Sequence, residues 1–110
     1  MGRMPEKVAE TVTERANGYC EVMVSRRCTG RAEHLHHRKL RSQLGQHEVP
    51  NLVYVCHECH AWIHANPAKS YERGFLVRGA RVPEHQPVLY RNGSMFFLAR
   101  DGSLVKGGRS

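Results

Sequence analysis

Cysteine and histidine residues near the middle of the chain have the spacing of metal ligands. Cys56 and Cys59 are separated by two residues, and this short loop lets both sulfurs reach one ion. His60 and His64 follow at positions i and i+4, so a helix would place their imidazoles one above the other on one face. The spacing predicts two metal sites with different roles, one held by thiolates and one by imidazoles.

The order of these residues, with further histidines and an asparagine before them, resembles the HNH endonuclease family. The resemblance is carried by His36-His37-Arg38, by residues 51–55, and by Cys56, Cys59, His60 and His64. The continuation Ala65-Asn66-Pro67 is similar to the small HNH proteins of bacteriophage genomes. The likeness covers roughly residues 7–77 and implies a ββα-metal fold, in which two short strands and a helix clamp one divalent ion. It also implies hydrolysis of DNA phosphodiester bonds, with products that carry 5′-phosphate and 3′-hydroxyl ends.

Three histidines are expected to hold the catalytic divalent ion, namely His36, His60 and His64. Neutral imidazoles suit Mn²⁺, Ni²⁺, Co²⁺ or Zn²⁺ better than Mg²⁺, which prefers oxygen ligands. The resemblance keeps Mg²⁺ among the candidates, because the family tolerates several divalent ions. In a competing interpretation His60 and His64 merely complete a zinc finger, with one metal and no reaction. A finger explains neither His37 nor Asn51.

His37 is the predicted general base. An imidazole with an ordinary pKa near 6.5 can take a proton from the water that attacks phosphorus. Asn51 does not titrate, but the resemblance implies that its amide oxygen accepts from one nitrogen of this imidazole and fixes the tautomer. Adjacent strand residues point to opposite faces, so the chain is expected to bend at His36-His37 and to leave the strand from Arg38 onward.

Four cysteines are predicted to form a structural Zn²⁺ site, namely Cys20, Cys28, Cys56 and Cys59. Four thiolates close a tetrahedral zinc site that stabilises folding. Members of the family often carry a second Cys-x-x-Cys, whereas Met23 stands here where its second sulfur would fall. Loop entropy grows slowly with length, so the longer connection to Cys28 can still close on the ion. Free buried thiols are the alternative.

The charge balance favours a nucleic acid partner. The 110 residues include 17 Lys plus Arg against 10 Asp plus Glu, a formal charge of +7. Such a surface attracts polyanions, although charge alone also fits simple solubility. Six basic residues near the metal motifs are predicted to bind DNA phosphates: Arg26, Arg27, Arg31, Arg38, Lys39 and Arg41.

The hydropathy pattern argues against a membrane protein. No segment reaches the roughly 18 consecutive apolar residues of a membrane span. The first 14 residues are polar and do not resemble a signal peptide. An intracellular location is expected, and with it thiolate ligands, while a two-disulfide arrangement is the less favoured alternative.

The pattern of apolar residues predicts an α+β fold: a small zinc-stabilised ββα-metal finger with an N-terminal helix and a C-terminal β-meander. Helices are predicted at residues 5–17 and 57–65, and strands at 19–24, 32–37 and 51–55. Asn92-Gly93 and Asp101-Gly102 predict two hairpin turns in the meander. Residues 1–77 are expected to form the nuclease core, and residues 78–110 a linker and β-hairpin extension packed on it.

These observations together favour a metal-dependent DNA endonuclease. A monomer would nick one strand, whereas a dimer could cut both. The likeness to phage proteins implies a role in DNA packaging with a terminase as partner. The chief alternative is a non-catalytic zinc module that binds nucleic acid, and a weaker one is a scaffold that docks a larger nuclease.

Overall fold

Helices and antiparallel strands follow one another along the chain, which confirms the α+β class. The computed structural model describes residues 3–107. Its helices are α1 (Glu6–Ala16), α2 (His57–Ala65) and α3 (Pro67–Glu72). Its strands are β1 (His34–His37), β2 (Leu52–Val55), β3 (Val88–Leu89), β4 (Met95–Leu98) and β5 (Leu104–Lys106). β1 pairs with β2, and the other three strands form a second sheet in chain order. No helix within the described range is long and apolar enough to span a bilayer.

The N-terminal helix forms because its apolar residues recur at helical spacing. Val12 is fully buried and packs with Val49 and Leu52, so α1 lies against β2 and the turn before it. The helix ends where Asn17 adopts a left-handed backbone with φ of 56° and its N–H bonds to the Thr13 carbonyl. The predicted helix is confirmed to within one residue at each end.

A hairpin and the helix after it position the histidines. β1 and β2 are antiparallel, with His36 opposite Val53 and His37 opposite Leu52. α2 begins directly after β2, where the sulfur of Cys56 accepts a hydrogen bond from the Cys59 N–H and caps the helix. It ends at Ala65, with Asn66 as its cap before Pro67, as predicted. The short connection brings α2 back onto β1.

The strand predicted at residues 19–24 is wrong. Only an isolated bridge between Tyr19 and Arg31 forms there. The N–H groups of Met23, Val24 and Ser25 bond to cysteine sulfurs, so they are not available to a neighbouring strand. The cysteine ligands therefore decide the local backbone against its β propensity.

The C-terminal meander packs on the hairpin and α2. Gly93 and Gly102 have φ of 88° and 92°, the left-handed conformation that the predicted turns require. Val88 and Leu98 lie in the same buried cluster as Val55. Residues 78–107 therefore share a core with the first part of the chain, while positions 1–2 and 108–110 lie outside the described residues.

A buried ion pair joins α1, β2 and the meander. The guanidinium of Arg15 and the carboxylate of Glu21 are almost fully buried, with Nε and Oε2 2.7 Å apart. The same carboxylate accepts from the Tyr90 hydroxyl at 2.9 Å and from the Tyr54 N–H at 2.8 Å. These bonds satisfy a buried charge that would otherwise be costly. The network fixes the hairpin of β1 and β2 relative to α1 and to the C-terminal meander.

Candidate metal centres

The sulfurs of the four cysteines converge on one point. Their ligand atoms all lie within 4.8 Å of one another, and the sulfurs of Cys28 and Cys56 are 3.7 Å apart. None of the four forms a disulfide. A Zn–S bond of about 2.3 Å implies sulfurs about 3.8 Å apart in a regular tetrahedron, so the group has the dimensions of a thiolate metal site. The cysteines predicted to act together are brought together.

Every sulfur of this group accepts at least one backbone hydrogen bond. N–H donors stabilise thiolates, which need compensation when they are buried. The bonds run from Met23 to Cys20, from Val24 and Ser25 to Cys59, from Gly30 to Cys28 and from Cys59 to Cys56, at 3.3–3.4 Å. The backbone is therefore arranged for negatively charged sulfur, which the alternative of neutral buried thiols does not require.

The four sulfurs do not ionise alike. A hydrogen bond from the Cys59 thiol lowers the pKa of Cys20 to about 5, against the opposing effect of burial. The same bond raises the pKa of Cys59 far above its ordinary value, and burial raises the pKa of Cys28 to about 11. A divalent cation at the centre would stabilise all four thiolates together. The donor set therefore fits a structural ion such as Zn²⁺.

The turn at Met23 explains how the site closes without a second Cys-x-x-Cys. Met23 has a left-handed backbone with φ of 45°, and its N–H bonds to the Cys20 sulfur just as the N–H of Cys59 bonds to Cys56. The same N–H to sulfur bond thus forms although the side chain at this position is an exposed methionine and not a cysteine. Cys28 supplies the remaining sulfur from the turn that follows, where its N–H bonds to the Ser25 carbonyl.

Three imidazoles form a second group of ligands. His36 lies on β1, and His60 and His64 lie one turn apart on α2. One nitrogen from each ring lies within 4.8 Å of the others, and the ring centroids are 5.0–5.5 Å apart. Burial decreases across the group, since His36 is 2% exposed whereas His64 lies at the surface. An ion held here would be fixed on the buried side and accessible on the other.

The deepest imidazole is held in one tautomer. Nε2 of His36 lies 2.8 Å from the carbonyl oxygen of Phe75, which can only accept, so this nitrogen carries the proton. Nδ1 is therefore left with a free lone pair for a metal ion. Burial lowers the pKa of His36 to about 3. The ring is neutral at physiological pH, as a metal ligand must be.

A fourth histidine approaches this group. Nδ1 of His34 lies 3.1 Å from Nδ1 of His60, and the two rings meet edge to face. Burial lowers the pKa of His60, with the neighbouring His64 and His34 adding to the effect. No contact with the metal ligands was predicted for His34. This contact could have been predicted from its position two residues before His36, because alternate residues of a strand lie on the same face.

His37 contacts a residue that the motif does not include. Its Nε2 lies 3.0 Å from Nδ1 of His47, in the loop between the two strands. Burial lowers the pKa of His37, and the neighbouring His47 and Arg41 lower it further. The predicted bond from Asn51 to this ring is not found. Asn51 instead accepts from the Lys39 N–H at 2.7 Å and donates to the carbonyls of Lys39 and Gln46.

Asn51 therefore braces the loop that follows β1. Its buried amide uses both its oxygen and its nitrogen on the backbone of residues 39 and 46. The loop carries His47, so the amide reaches His37 through the loop and not directly. The chain leaves the strand at Arg38 as expected, but the bend lies at Arg38 and not at the pair His36-His37, which are both paired with β2.

The prediction that Arg38 binds DNA phosphates is wrong. Its side chain is fully buried and donates to four backbone carbonyls, those of Pro50, Gly74, Pro83 and Gln86. No phosphate can reach it. The other five predicted residues remain accessible. Arg26, Arg27 and Arg31 are exposed, and Lys39 and Arg41 are both half-buried.

The family models, the characterised proteins and the solved structures with which the chain was compared include no match to it. What the two ligand groups do must therefore be argued from their own geometry and chemistry.

Proposed function

We propose that this protein is a metal-dependent DNA endonuclease of the HNH, or ββα-metal, type. The observation that supports it most directly is the imidazole group of His36, His60 and His64 on a hairpin and the helix that follows it. The thiolate group lies at the start of the same helix, where Cys56 caps it. A structural ion there would fix the helix that presents two of the imidazoles.

The two ligand groups differ in the way that structural and catalytic sites differ. Four sulfurs leave no coordination position open, whereas three imidazoles leave at least one for a substrate oxygen. The exposure of His64 gives a phosphate access from solvent. A divalent ion bound by the imidazoles would supply positive charge to a phosphodiester as negative charge accumulates on it. The remaining chemistry must come from the side chains around it.

His37 is the group that we assign as general base. Its lowered pKa keeps the ring neutral at pH 7, so it is ready to accept a proton from water. Because the strand continues through His36 and His37, the two side chains leave β1 on opposite faces. A phosphate must therefore lie across the end of β1 to meet both.

A second candidate is a non-catalytic zinc module that binds nucleic acid. The observation that favours it is the position of His34, which brings a fourth imidazole to within 3.1 Å of His60. Were His34 a ligand, four imidazoles would close the site and exclude a substrate. The exposure of both His34 and His64 argues for the open arrangement.

A plasmid cleavage assay with added Mn²⁺, Ni²⁺ or Mg²⁺ separates the two candidates. The endonuclease should convert supercoiled plasmid to nicked or linear forms, and His37→Ala should abolish cutting while the protein keeps its fold and its bound metal. His85→Ala, at an exposed histidine outside both groups, is the matched control and should cut like the parent. DNA binding without cleavage under every metal would favour the zinc module.

A further inference from the structure

We propose that Lys39, Arg78 and Arg81 form a second contact for nucleic acid, which binds backbone phosphates of the strand that passes the imidazole group. This inference rests on the proposed endonuclease function. From the sequence, Arg78 and Arg81 were expected to belong to a linker, and Lys39 alone of the three was predicted to bind phosphate. In the structure, the segment 78–81 lies beside the loop after β1, and Lys39 in that loop bonds to it.

The segment before Arg78 runs beside the end of β1. The carbonyl of Phe75 bonds to the His36 ring at 2.8 Å, and the N–H of Val77 bonds to the Arg38 carbonyl at 2.8 Å. Arg78 follows directly. An extended chain advances at most about 3.5 Å per residue, so the backbone of Arg78 lies within about 11 Å of that of Phe75. Arg78 is thus a few phosphate spacings from the imidazole group.

The side chains of this segment line a cleft. It has a volume of about 240 Å³ and is lined by Tyr71, Leu76, Val77, Arg78, Arg81 and Gln86. The guanidinium of Arg78 stacks on the Tyr71 ring at 4.1 Å from its centroid. Stacking holds the planar group in place while its N–H donors remain free to bind an anion.

The loop after β1 contacts the backbone of Arg81. Nζ of Lys39 donates to the Arg81 carbonyl at 3.3 Å, and the N–H of Arg81 bonds back to the Arg78 carbonyl at 2.9 Å. The loop that carries the phosphate-binding candidate Lys39 is therefore joined to the turn that carries both arginines. Three cations are held together by backbone contacts that leave their charges uncompensated.

The charge of this group is not neutralised within the described part of the chain. No carboxylate at positions 3–107 lies within 4.0 Å of Lys39, Arg78 or Arg81, and both arginines are exposed. Arg100 shows the contrast, since Glu48 and Glu84 both pair with it. Three uncompensated cations beside a site that cleaves phosphodiesters fit the phosphates of its substrate.

The test is the salt dependence of DNA binding. A fluorescein-labelled duplex of random sequence is titrated with the full chain at 50 and 200 mM KCl, without added divalent ion. Each phosphate contact contributes about 0.9 to the slope of log K against log salt, so Arg78→Ala/Arg81→Ala should lower the slope by about 1.8. The loss of affinity between the two salt concentrations should therefore be about 12-fold smaller than for the parent.

The matched control is Lys7→Ala/Lys106→Ala, which removes the same charge from exposed positions on α1 and β5. Its slope should equal that of the parent. Equal slopes for all three proteins, or an equal decrease in both variants, would overturn the proposal. Retained metal content and an unchanged melting temperature show that Arg78→Ala/Arg81→Ala is folded. A parent that neither binds nor cuts DNA would refute the endonuclease itself, whereas a cutting parent with an unaffected double variant refutes only this contact.

Discussion

Nε2 of His37 lies 3.0 Å from Nδ1 of His47, a pairing of two histidines that are ten positions apart in the chain. One ring must donate to the other, so the contact couples the tautomer of His37 to that of His47. The partner predicted to fix the tautomer of His37 was Asn51. Asn51 instead bonds to the backbone of Lys39 and Gln46, in the loop that carries His47.

Replacement of His47 should change the pH dependence of cleavage. His47 is one of the neighbours that lower the pKa of His37, so His47→Ala should raise that pKa towards 6.5. The base must be neutral to accept a proton, and the acid limb of the rate profile should therefore move to higher pH. A profile of kcat/KM between pH 5 and 8 measures the shift. An unmoved acid limb would mean that His47 does not act on the base, and His85→Ala is the control.

Replacement of His34 should weaken the binding of a divalent ion by the imidazole group without abolishing it. If His34 accepts from Nδ1 of His60, it fixes that ring with Nε2 free for the ion. Loss of such an outer contact typically costs 10- to 100-fold in metal affinity. Competition of Co²⁺ binding against a chelator of known affinity gives the change for His34→Ala. A gain of cleavage in this variant would show instead that His34 occupies a substrate position.

The low pKa of His36 predicts how stability depends on pH. The folded chain keeps this ring neutral down to about pH 3, whereas the unfolded chain protonates it near the ordinary value of 6.5. The unfolded state therefore binds the extra proton between pH 6.5 and 3, and its contribution to stability is present above 6.5 and lost as the pH falls through that window. The slope for one proton is about 1.4 kcal/mol per pH unit.

Urea denaturation at several pH values, without added divalent ion, measures this slope. His36→Gln is the comparison, because its amide can still donate to the Phe75 carbonyl but does not titrate. Loss of the structural ion at acid pH affects both proteins alike. The parent should lose stability more steeply than His36→Gln, and parallel curves would contradict the assigned pKa.

Removal of a thiolate should unfold the helix that carries the imidazoles. Cys28→Ser takes one sulfur from the group that caps and anchors the start of α2. Loss of a structural metal is among the few single changes that cost more than about 4 kcal/mol. Elemental analysis should find one zinc fewer per chain, and far-UV circular dichroism should show reduced helix. Met23→Ala, at the exposed position of the same turn, should keep both the ion and the fold.

Local spacing allowed the correct prediction of the elements that present the ligands. α2 follows from Cys56 at its start and Pro67 after its end, and both signals lie within a few residues of the helix. The ligand atoms come together because β1, β2 and α2 follow one another within residues 34–65. The partners of His36 and His37 could not be predicted in the same way. Phe75 is 39 positions from His36 and offers only its backbone, which no side-chain pattern marks.

The partners of Arg38 could not be predicted from local spacing either, because its four carbonyl acceptors come from three separate segments of the chain. A guanidinium has five N–H donors in a fixed plane, whereas an ammonium has three. Arg38→Lys keeps the charge but must leave some of these buried carbonyls without a donor, at about 1–3 kcal/mol each. It should therefore lower the free energy of unfolding and leave the salt slope of DNA binding unchanged. A lower slope with unchanged stability would mean that Arg38 reaches a phosphate after all.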